Sequence, residues 1–251
     1  MQMEFFYNTK LWVIFVGLIV FFTAVSLLSH FIASKKNKAD AGSTEFLSTT
    51  ILGLLALLLG FTFSMAISRF DTRSSLVLKE SNTIGTAYLR TDLFPQDQVQ
   101  EYRRLLKEYT QQRIEFFTSI RNGKREFIQQ MQALQNKIWQ ETTKLVKNNM
   151  SPVAATFIQA NNDLIDVDGE RLFASENHVP EVVFDVLIFI AAMGLASLSY
   201  SLGIKKHSAK APLVLGILFA VVIVLIQDLD RPGRGLIQPH EDAMIRVLES
   251  M

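Results

Sequence analysis

Residues 46–67, FLSTTILGLLALLLGFTFSMAI, decide the fold of this chain. They contain no charged residue, and at about 1.5 Å per residue a helix of this length crosses the roughly 30 Å hydrocarbon layer of a bilayer. The sequence then becomes charged at Arg69, Asp71 and Arg73, with no proline before Pro95, so the same helix is expected to continue out of the membrane. This stretch therefore predicts a membrane span that runs into a stalk.

Small residues recur at every fourth position along one side of this span. In a bilayer, helices associate through close packing, and small side chains let two backbones approach each other. We therefore expect this side of the span to contact protein. The residues are Ala56, Gly60, Ser64 and Ser68.

Three further apolar runs predict three further spans. Residues 11–33 form the first, in preference to a signal peptide, because the run is too long and the segment before it carries Glu4 against one lysine. Pro180 is placed to start the third span, 182–204, which is rich in small residues and suited to close helix contact. Residues 212–226 form a shorter fourth span.

A polar segment with helical periodicity lies between the second and third spans. Its apolar residues predict helices over 97–120 and 125–148, joined by a turn at Asn122 and Gly123. Ser151 followed by Pro152 is a strong helix start, and we expect that helix to end near Asn177. With the stalk, these helices form a bundle of about four. A short amphipathic helix is expected near Met244 in the tail.

These elements predict an all-α membrane protein with four transmembrane helices and an extramembrane helical bundle inserted between the second and third. The expected boundaries are 1–68 for the first two spans, 69–179 for the extramembrane helical domain, 180–229 for the last two spans and 230–251 for the C-terminal tail. The 251 residues are 49% hydrophobic with a net charge of +1, which fits a membrane protein with one polar insert and indicates no nucleic-acid partner. Cysteine is absent, which removes disulfides, thiolate metal sites and cysteine nucleophiles.

Charged residues gather where the predicted spans end, and five of them are expected to share one membrane face. Charges at this depth are costly unless they are paired or face water, so they form either a functional layer or interhelical ion pairs. Arg73 and Glu80, two helical turns apart on one side of the stalk, could join this layer or be solvated. The five are Arg69, Asp185, Asp228, Asp230 and Arg231.

No motif in the sequence supports catalysis or a cofactor. The acidic run Asp163, Asp166, Asp168 and Glu170 invites a calcium interpretation, but its spacing does not match the twelve-residue EF-hand loop and the segment is better interpreted as helical. Phosphate-binding, zinc-protease and serine-hydrolase motifs are also absent from the sequence. We therefore expect no enzyme and no metal site.

Three stretches resemble the bestrophin-like family of bacterial integral membrane proteins. The first is 58–73, LLGFTFSMAISRFDTR, followed by 84–90, IGTAYLR; the second is 229–235, LDRPGRG, directly after the last apolar run; the third and weaker one is 162–171. The positions that carry the resemblance are Phe61, Asp71, Glu80, Asn82, Arg90, Pro232 and Gly235.

The resemblance implies an ion channel in the bacterial inner membrane. By family analogy the channel would be a homo-oligomer of five subunits that conducts small ions, anions in particular, with Arg69 and Arg73 as candidates for its mouth. The alternative is a non-conducting membrane protein whose extramembrane helical domain senses a signal or binds a partner.

Lysines in the two short loops predict the orientation, because basic residues in short loops resist translocation. Both loops are then cytoplasmic, and the helical domain and both termini lie on the outer side. The resemblance implies the opposite for the large domain, since channel-forming bestrophins keep theirs in the cytosol, and the stalk cations also argue that way. We give precedence to the loops, which belong to this chain. The loop lysines are Lys35, Lys36, Lys38, Lys205, Lys206 and Lys210.

Overall fold

The computed structural model describes residues 5–35, 41–119, 124–232 and 235–251, and regular structure in these ranges is entirely helical. Lys36, Lys38, the Asn122–Gly123 turn, Gly233 and Arg234 lie outside them. A short 3-10 helix, Thr91–Leu93, follows α3. The α-helices are α1 Phe5–Asn8, α2 Leu11–Ser34, α3 Ala41–Arg90, α4 Gln100–Ser119, α5 Lys124–Asn148, α6 Pro152–Glu176, α7 Glu181–Ile204, α8 Lys210–Asp230 and α9 Asp242–Glu249.

The structure confirms the predicted helices and corrects some of their ends. The second span and the stalk form one helix of 50 residues, α3. Helix α4 begins at Gln100 rather than at residue 97, since the amide of Gln98 first closes a turn onto the carbonyl of Pro95 at 3.0 Å. Helix α8 continues to Asp230, beyond the predicted end at residue 226, and is therefore not short. Helix α1 was not predicted.

Four helical stretches are long and apolar enough to cross a membrane. They are Leu11–Ser34, Thr44–Leu93, Pro152–Ile204 and Lys210–Asp230. The second stretch is free of charge over residues 46–67. The third stretch is free of charge in the part of α7 that follows Asp185. The chain is therefore a helical membrane protein, as its sequence predicts.

The chain divides into two compact units. The span unit comprises Met1–Ser68, His178–Arg231 and Gly235–Ile237. The bundle unit comprises Arg69–Asn177, Pro232–Arg234 and Gln238–Met251. The division falls within α3, between Ser68 and Arg69, where the sequence changes from apolar to charged.

In the span unit, α7 packs against α2, and both contact α8. The buried side of α2 repeats at every fourth residue through Ile14, Leu18, Phe22 and Ser26. A Cβ atom on Gly203 would lie 2.6 Å from the backbone oxygen of His30, so only glycine fits where α7 meets α2. The small residues of α7 thus serve helix contact within the chain.

The first half of α3 also packs against α7 in this unit. A Cβ atom on Gly194 would lie 2.8 Å from the side chain of Leu52, and the Ser197 hydroxyl donates to the Thr44 carbonyl at 3.2 Å. The outer faces of the spans expose large apolar side chains such as Trp12, which is 64% exposed. Such faces are suited to contact with lipid.

The bundle unit encloses a core built from the second half of α3 together with α4, α5, α6 and α9. Tyr102 and Phe157 meet edge to face, with ring centroids 4.9 Å apart, and the Tyr102 hydroxyl donates to Asn161 Oδ1 at 2.9 Å. The predicted cap is confirmed, since the Ser151 hydroxyl accepts a hydrogen bond from the Ala154 amide at 3.2 Å. Met244 of α9 is fully buried in this core.

Candidate functional site

The residues of the predicted charge layer fall into both units. Asp185, Asp228, Asp230 and Arg231 belong to the span unit, whereas Arg69 and Arg73 belong to the bundle unit. The structure thus places four of them within one unit, where their surroundings can be compared directly.

Asp228 organises the turn that follows α8. Its two carboxylate oxygens accept hydrogen bonds from the backbone amides of Leu236, at 2.7 Å, and Ile237, at 3.0 Å. The residue is only 4% exposed. A Cβ atom on Gly235 would lie 2.6 Å from Asp228 Oδ1, so the turn requires glycine at this position. The motif at 229–235 therefore ends in a turn held by the carboxylate that precedes it.

Asp230 is fully buried at the end of α8. Its Oδ2 atom accepts hydrogen bonds from the Tyr7 hydroxyl and, at 2.8 Å, from the Val179 amide. The Tyr7 ring stacks on the His178 ring with centroids 4.3 Å apart. This carboxylate therefore connects the N-terminal segment to the start of α7.

The neighbouring residue Phe6 is held at both ends of its backbone. Its amide donates to Glu181 Oε1 at 2.8 Å, and its carbonyl accepts from Gln227 Nε2 at 2.8 Å and from Arg231. Sequence reasoning missed Tyr7, Glu181 and Gln227, because nothing local links residues that are more than 170 positions apart in the chain.

The charged residues of the span unit differ in their burial. Asp185 is exposed, whereas Asp228, Asp230 and Arg231 are buried. The hydrogen bonds described above join these three to backbone groups and to Tyr7. These bonds lie at the end of α8 and before the start of α7.

In the bundle unit, Arg69 is half-buried and donates to Asn177 Oδ1 at 2.7 Å. Arg73 is 8% exposed and Glu80 is fully buried. The solvated interpretation of Arg73 and Glu80 was therefore wrong, because both side chains are buried. Glu80 lies on the same side of the stalk as the buried residues Leu76, Ile84 and Ala87.

Glu80 is the centre of a buried cluster of polar side chains. Its carboxylate accepts hydrogen bonds from the Tyr109 hydroxyl at 2.6 Å and from Arg113 Nη2 at 3.1 Å, and Arg113 Nε lies 3.0 Å from Oε1. Arg171 donates to the other oxygen. Helices α3, α4 and α6 thus meet at a single carboxylate.

Two further carboxylates flank this centre. Asp168 Oδ1 lies 2.8 Å from Arg113 Nη1, and Glu241 Oε1 lies 3.3 Å from Arg171 Nη2. The side chains of Asp168 and Glu241 are 17% and 12% exposed, so both lie at the edge of the bundle. We call Glu80, Arg113, Asp168, Arg171 and Glu241 the five-residue ion cluster.

The carboxyl groups of the cluster have pKa values displaced in opposite directions. Burial acts to raise the pKa of Glu80, but Arg113, Arg171 and the Tyr109 hydroxyl bond outweigh it and hold this pKa below its ordinary value. Burial raises the pKa of both Asp168 and Glu241, and the charge of Glu80 adds to the effect. Burial also raises the pKa of Tyr109 well above its ordinary value. Glu80 is therefore the carboxylate that stays ionised.

The other positions that carry the family resemblance have varied surroundings. Asn82 is exposed and lines a shallow groove of about 350 Å³ beside Lys79. Arg90 donates to the Thr156 carbonyl and so ties α3 to α6. Phe61 and Asp71 are exposed, and Pro232 is half-buried.

The predicted packing residues of the second span are uncovered in this chain. Ala56, Gly60, Ser64 and Ser68 are all exposed. Among the described residues, no atom of another side chain lies within 4 Å of a Cβ atom built on Gly60. At Gly60, the packing that the sequence predicts is not made by the other described helices.

Sequence reasoning identified Glu80 but missed most of its partners. Tyr109 is a buried residue of α4, and Arg113 follows it by four positions, hence on the same helix face. A glutamate on the apolar side of a stalk is costly to bury without such partners. The position of Glu80 in the sequence therefore indicates that partners of this kind exist. In the part of the chain that the structure describes, no group of three or more histidine, cysteine or acidic side chains is arranged to hold a metal ion.

Comparisons with known proteins place the chain in a family. The family described as "Bestrophin-like domain" matches residues 11–244. No curated protein matches the sequence significantly. Among solved structures, a bacterial bestrophin homologue from Klebsiella pneumoniae carrying a point mutation has a TM-score of 0.68 at 14% identity, covering 96% of this chain and 97% of that one.

A second solved structure, a point variant of a membrane protein, has a TM-score of 0.68 at 15% identity, covering 94% of this chain and 96% of that one. At these identities the likeness concerns the fold. The family match extends over nearly the whole chain, including the second span, the ion cluster and the turn at Gly235. The chain therefore belongs to the bestrophin-like family.

Proposed function

We propose that several copies of this chain assemble around the second span and form a membrane channel that conducts small ions, with a preference for anions. The span unit lies in the bacterial inner membrane, and the bundle unit lies outside the bilayer. Family membership supports the channel. The observation that carries the assembly is the uncovered row of small residues, Ala56, Gly60, Ser64 and Ser68.

This row differs from the other close-packing positions in the span unit. Gly194 and Gly203 of α7 are in contact with α3 and α2, so the same chain uses their small size. Gly60 has no such neighbour among the described residues. A face that only had to meet lipid would have no need of small residues, whereas a helix from a second copy would approach closely along them.

In this proposal the ion path runs between copies of the chain rather than through a single copy. Helices α2 and α7 approach each other so closely that a single added carbon on Gly203 would collide with the backbone of α2. A path formed at a symmetry axis needs no space inside the four spans of one copy. Five subunits is the number that family analogy supports.

Arg69 is the candidate that favours anions at the mouth. It is the first charged residue after the apolar part of α3, it is only half-buried, and its bond to Asn177 fixes its position. Repeated around an axis, such cations raise the local anion concentration. Arg73 is buried within the bundle unit, so the role falls to Arg69 alone.

Chloride efflux from lipid vesicles that contain the purified protein tests this proposal. Wild type should release chloride, and Arg69→Gln should release it more slowly while assembling normally. Lys79→Gln is the matched control, since Lys79 is an exposed cation further along the same helix, paired with Glu170 at 2.6 Å. Equal rates of chloride efflux from wild type and Arg69→Gln would show that Arg69 does not line the mouth of the channel.

A further inference from the structure

The residue before the C-terminal helix has an unusual role. Glu241 occupies the N-cap position of α9, where a side chain commonly accepts a hydrogen bond from the first amides of the helix. Its side chain makes no such bond and reaches Arg171 instead. Its second oxygen, Oε2, is buried without a hydrogen-bond partner among the described residues. A buried carboxylate oxygen in this state is costly when the group is charged.

Helix α9 depends on a small number of further contacts with the bundle. The Ser81 hydroxyl donates to the Ala243 carbonyl at 2.7 Å, and the Tyr88 hydroxyl donates to the Met251 carbonyl at 2.6 Å. Met244 fills the core. The helix has eight residues, too few to be stable in water by itself, so its structure depends on docking.

The charges of the ion cluster do not balance. Three carboxylates, those of Glu80, Asp168 and Glu241, meet two guanidinium groups, those of Arg113 and Arg171. With every group ionised, these five side chains therefore carry one excess negative charge among themselves. Uptake of one proton by an outer carboxylate removes this excess.

The groups that face Glu241 come from several elements. Helix α3 contributes Glu80, α4 contributes Tyr109 and Arg113, α6 contributes Asp168 and Arg171, and α5 contributes the uncharged Gln135 beside Asp168. The buried Arg73 lies two turns before Glu80 on α3. His240, which is exposed, directly precedes Glu241 in the chain. On the outer surface lie the Lys79–Glu170 pair and, on α9 itself, Asp242, Arg246 and Glu249.

We propose that the ion cluster is a proton-binding latch for the C-terminal helix, which docks more tightly against the bundle unit as the surrounding solution becomes mildly acidic. Proton uptake leaves Glu80 to pair with both arginines and relieves the buried charge of Glu241. Release of a proton restores the excess negative charge beside the start of α9 and loosens the helix.

The sign of the pH dependence follows from the pKa directions. The pKa values of Glu241 and Asp168 are raised in the docked state above their ordinary values of 4.5 and 3.8. Their contribution to docking is therefore complete below those ordinary values and is lost as the pH rises through the raised ones. The pKa of Glu80 is lowered below 4.5, so its contribution is lost only under stronger acid.

Hydrogen exchange of the whole chain in lipid nanodiscs tests the latch from about pH 7 down to about pH 4.5. In this range a raised pKa of Glu241 or Asp168 is crossed, while Glu80, whose pKa is lowered, stays ionised. Amide protection in α9, corrected for intrinsic exchange rates, should rise on acidification by up to about tenfold per pH unit for one proton bound. Protection in α5, which contributes no ionisable group to the cluster, should stay nearly constant and serves as the internal reference.

Two variants identify the groups responsible. Glu241→Gln, alone and with Asp168→Asn, should reduce or abolish the pH dependence in α9. Glu249→Gln should retain it, because Glu249 is an exposed acid on the same helix. Constant or falling protection of wild-type α9 on acidification would overturn the proposal, and so would an unchanged pH dependence in the double variant. The wild-type titration decides the matter even if a variant fails to fold.

Discussion

Gly235 lies so close to Asp228 that a Cβ atom on the glycine would stand 2.6 Å from Asp228 Oδ1 and 2.8 Å from the Asp228 carbonyl oxygen. The same carboxylate accepts the amides of Leu236 and Ile237. The end of α8 and the turn that follows it are therefore one structural element, in which the acid supplies the acceptors and the glycine supplies the space.

Gly235→Ala should destabilise the span unit. The added methyl group must displace Asp228, which then loses its bonds to the backbone amides, and overpacking of this kind costs about 1 to 3 kcal/mol. Thermal unfolding of the detergent-solubilised protein measures the loss.

Gly169→Ala is the matched control for this change. Gly169 lies within α6, and among the described residues nothing outside its own helix turn lies within 4 Å of where the added methyl group would sit. That change should be neutral or stabilising by about 0.5 to 1 kcal/mol. Equal stability of Gly235→Ala and wild type would show that the turn does not need glycine.

Arg171→Gln should destabilise the bundle unit near neutral pH. It removes one of two cations from a cluster of three carboxylates, and breaking a buried ion pair costs about 3 to 5 kcal/mol. The loss should diminish on acidification towards about pH 5, because protonation of Asp168 and Glu241, whose pKa values are raised, removes the added repulsion.

Denaturant unfolding of the bundle unit at several pH values measures this effect. Lys79→Gln, which removes an exposed cation paired with Glu170, should cost about 0 to 1 kcal/mol at every pH. If Arg171→Gln were no more harmful than Lys79→Gln at neutral pH, the cluster would not hold the helices together.

The helices were predictable because their signals are local. Residues 46–67 show the span by lacking charge, and Ser151 with Pro152 marks a helix start through two adjacent side chains. The charged residues, in contrast, contact residues that are distant from them in the sequence. Spacing placed Asp230 at the end of a span, but not beside Tyr7, which lies 223 positions away. Similarly, Glu80 could be singled out by its neighbours in sequence, whereas its pairing with two arginines depends on how three helices pack.

The short lysine loops predict that both termini lie on the outer side of the membrane, and reporter fusions test this orientation. Alkaline phosphatase, which is active only outside the cytoplasm, should be active when fused after Met251. The same reporter inserted after Ser208, in the loop between α7 and α8, should be inactive. Phosphatase activity at Ser208 together with none at Met251 would reverse the orientation and place the bundle unit in the cytosol.

Gly60→Leu should weaken assembly, because a large side chain would keep a second helix from approaching the row of small residues. Mass measurement in nanodiscs should show a homo-oligomer for wild type and smaller species for the variant. Gly17→Leu is the matched control: Gly17 is also an exposed span glycine whose added Cβ atom would meet nothing within 4 Å among the described residues, but it lies on α2. If both variants assemble as wild type does, subunit contact does not run along Gly60.

The central claim is that the assembled protein conducts ions and prefers anions. Recording from purified wild-type protein in a planar bilayer, with a potassium chloride gradient across the membrane, tests it most directly. We expect discrete currents whose reversal potential is shifted from zero towards the equilibrium potential of chloride. An oligomer of confirmed mass that passes no current would contradict the channel and favour the non-conducting alternative. A reversal potential shifted towards the equilibrium potential of potassium would contradict the anion preference.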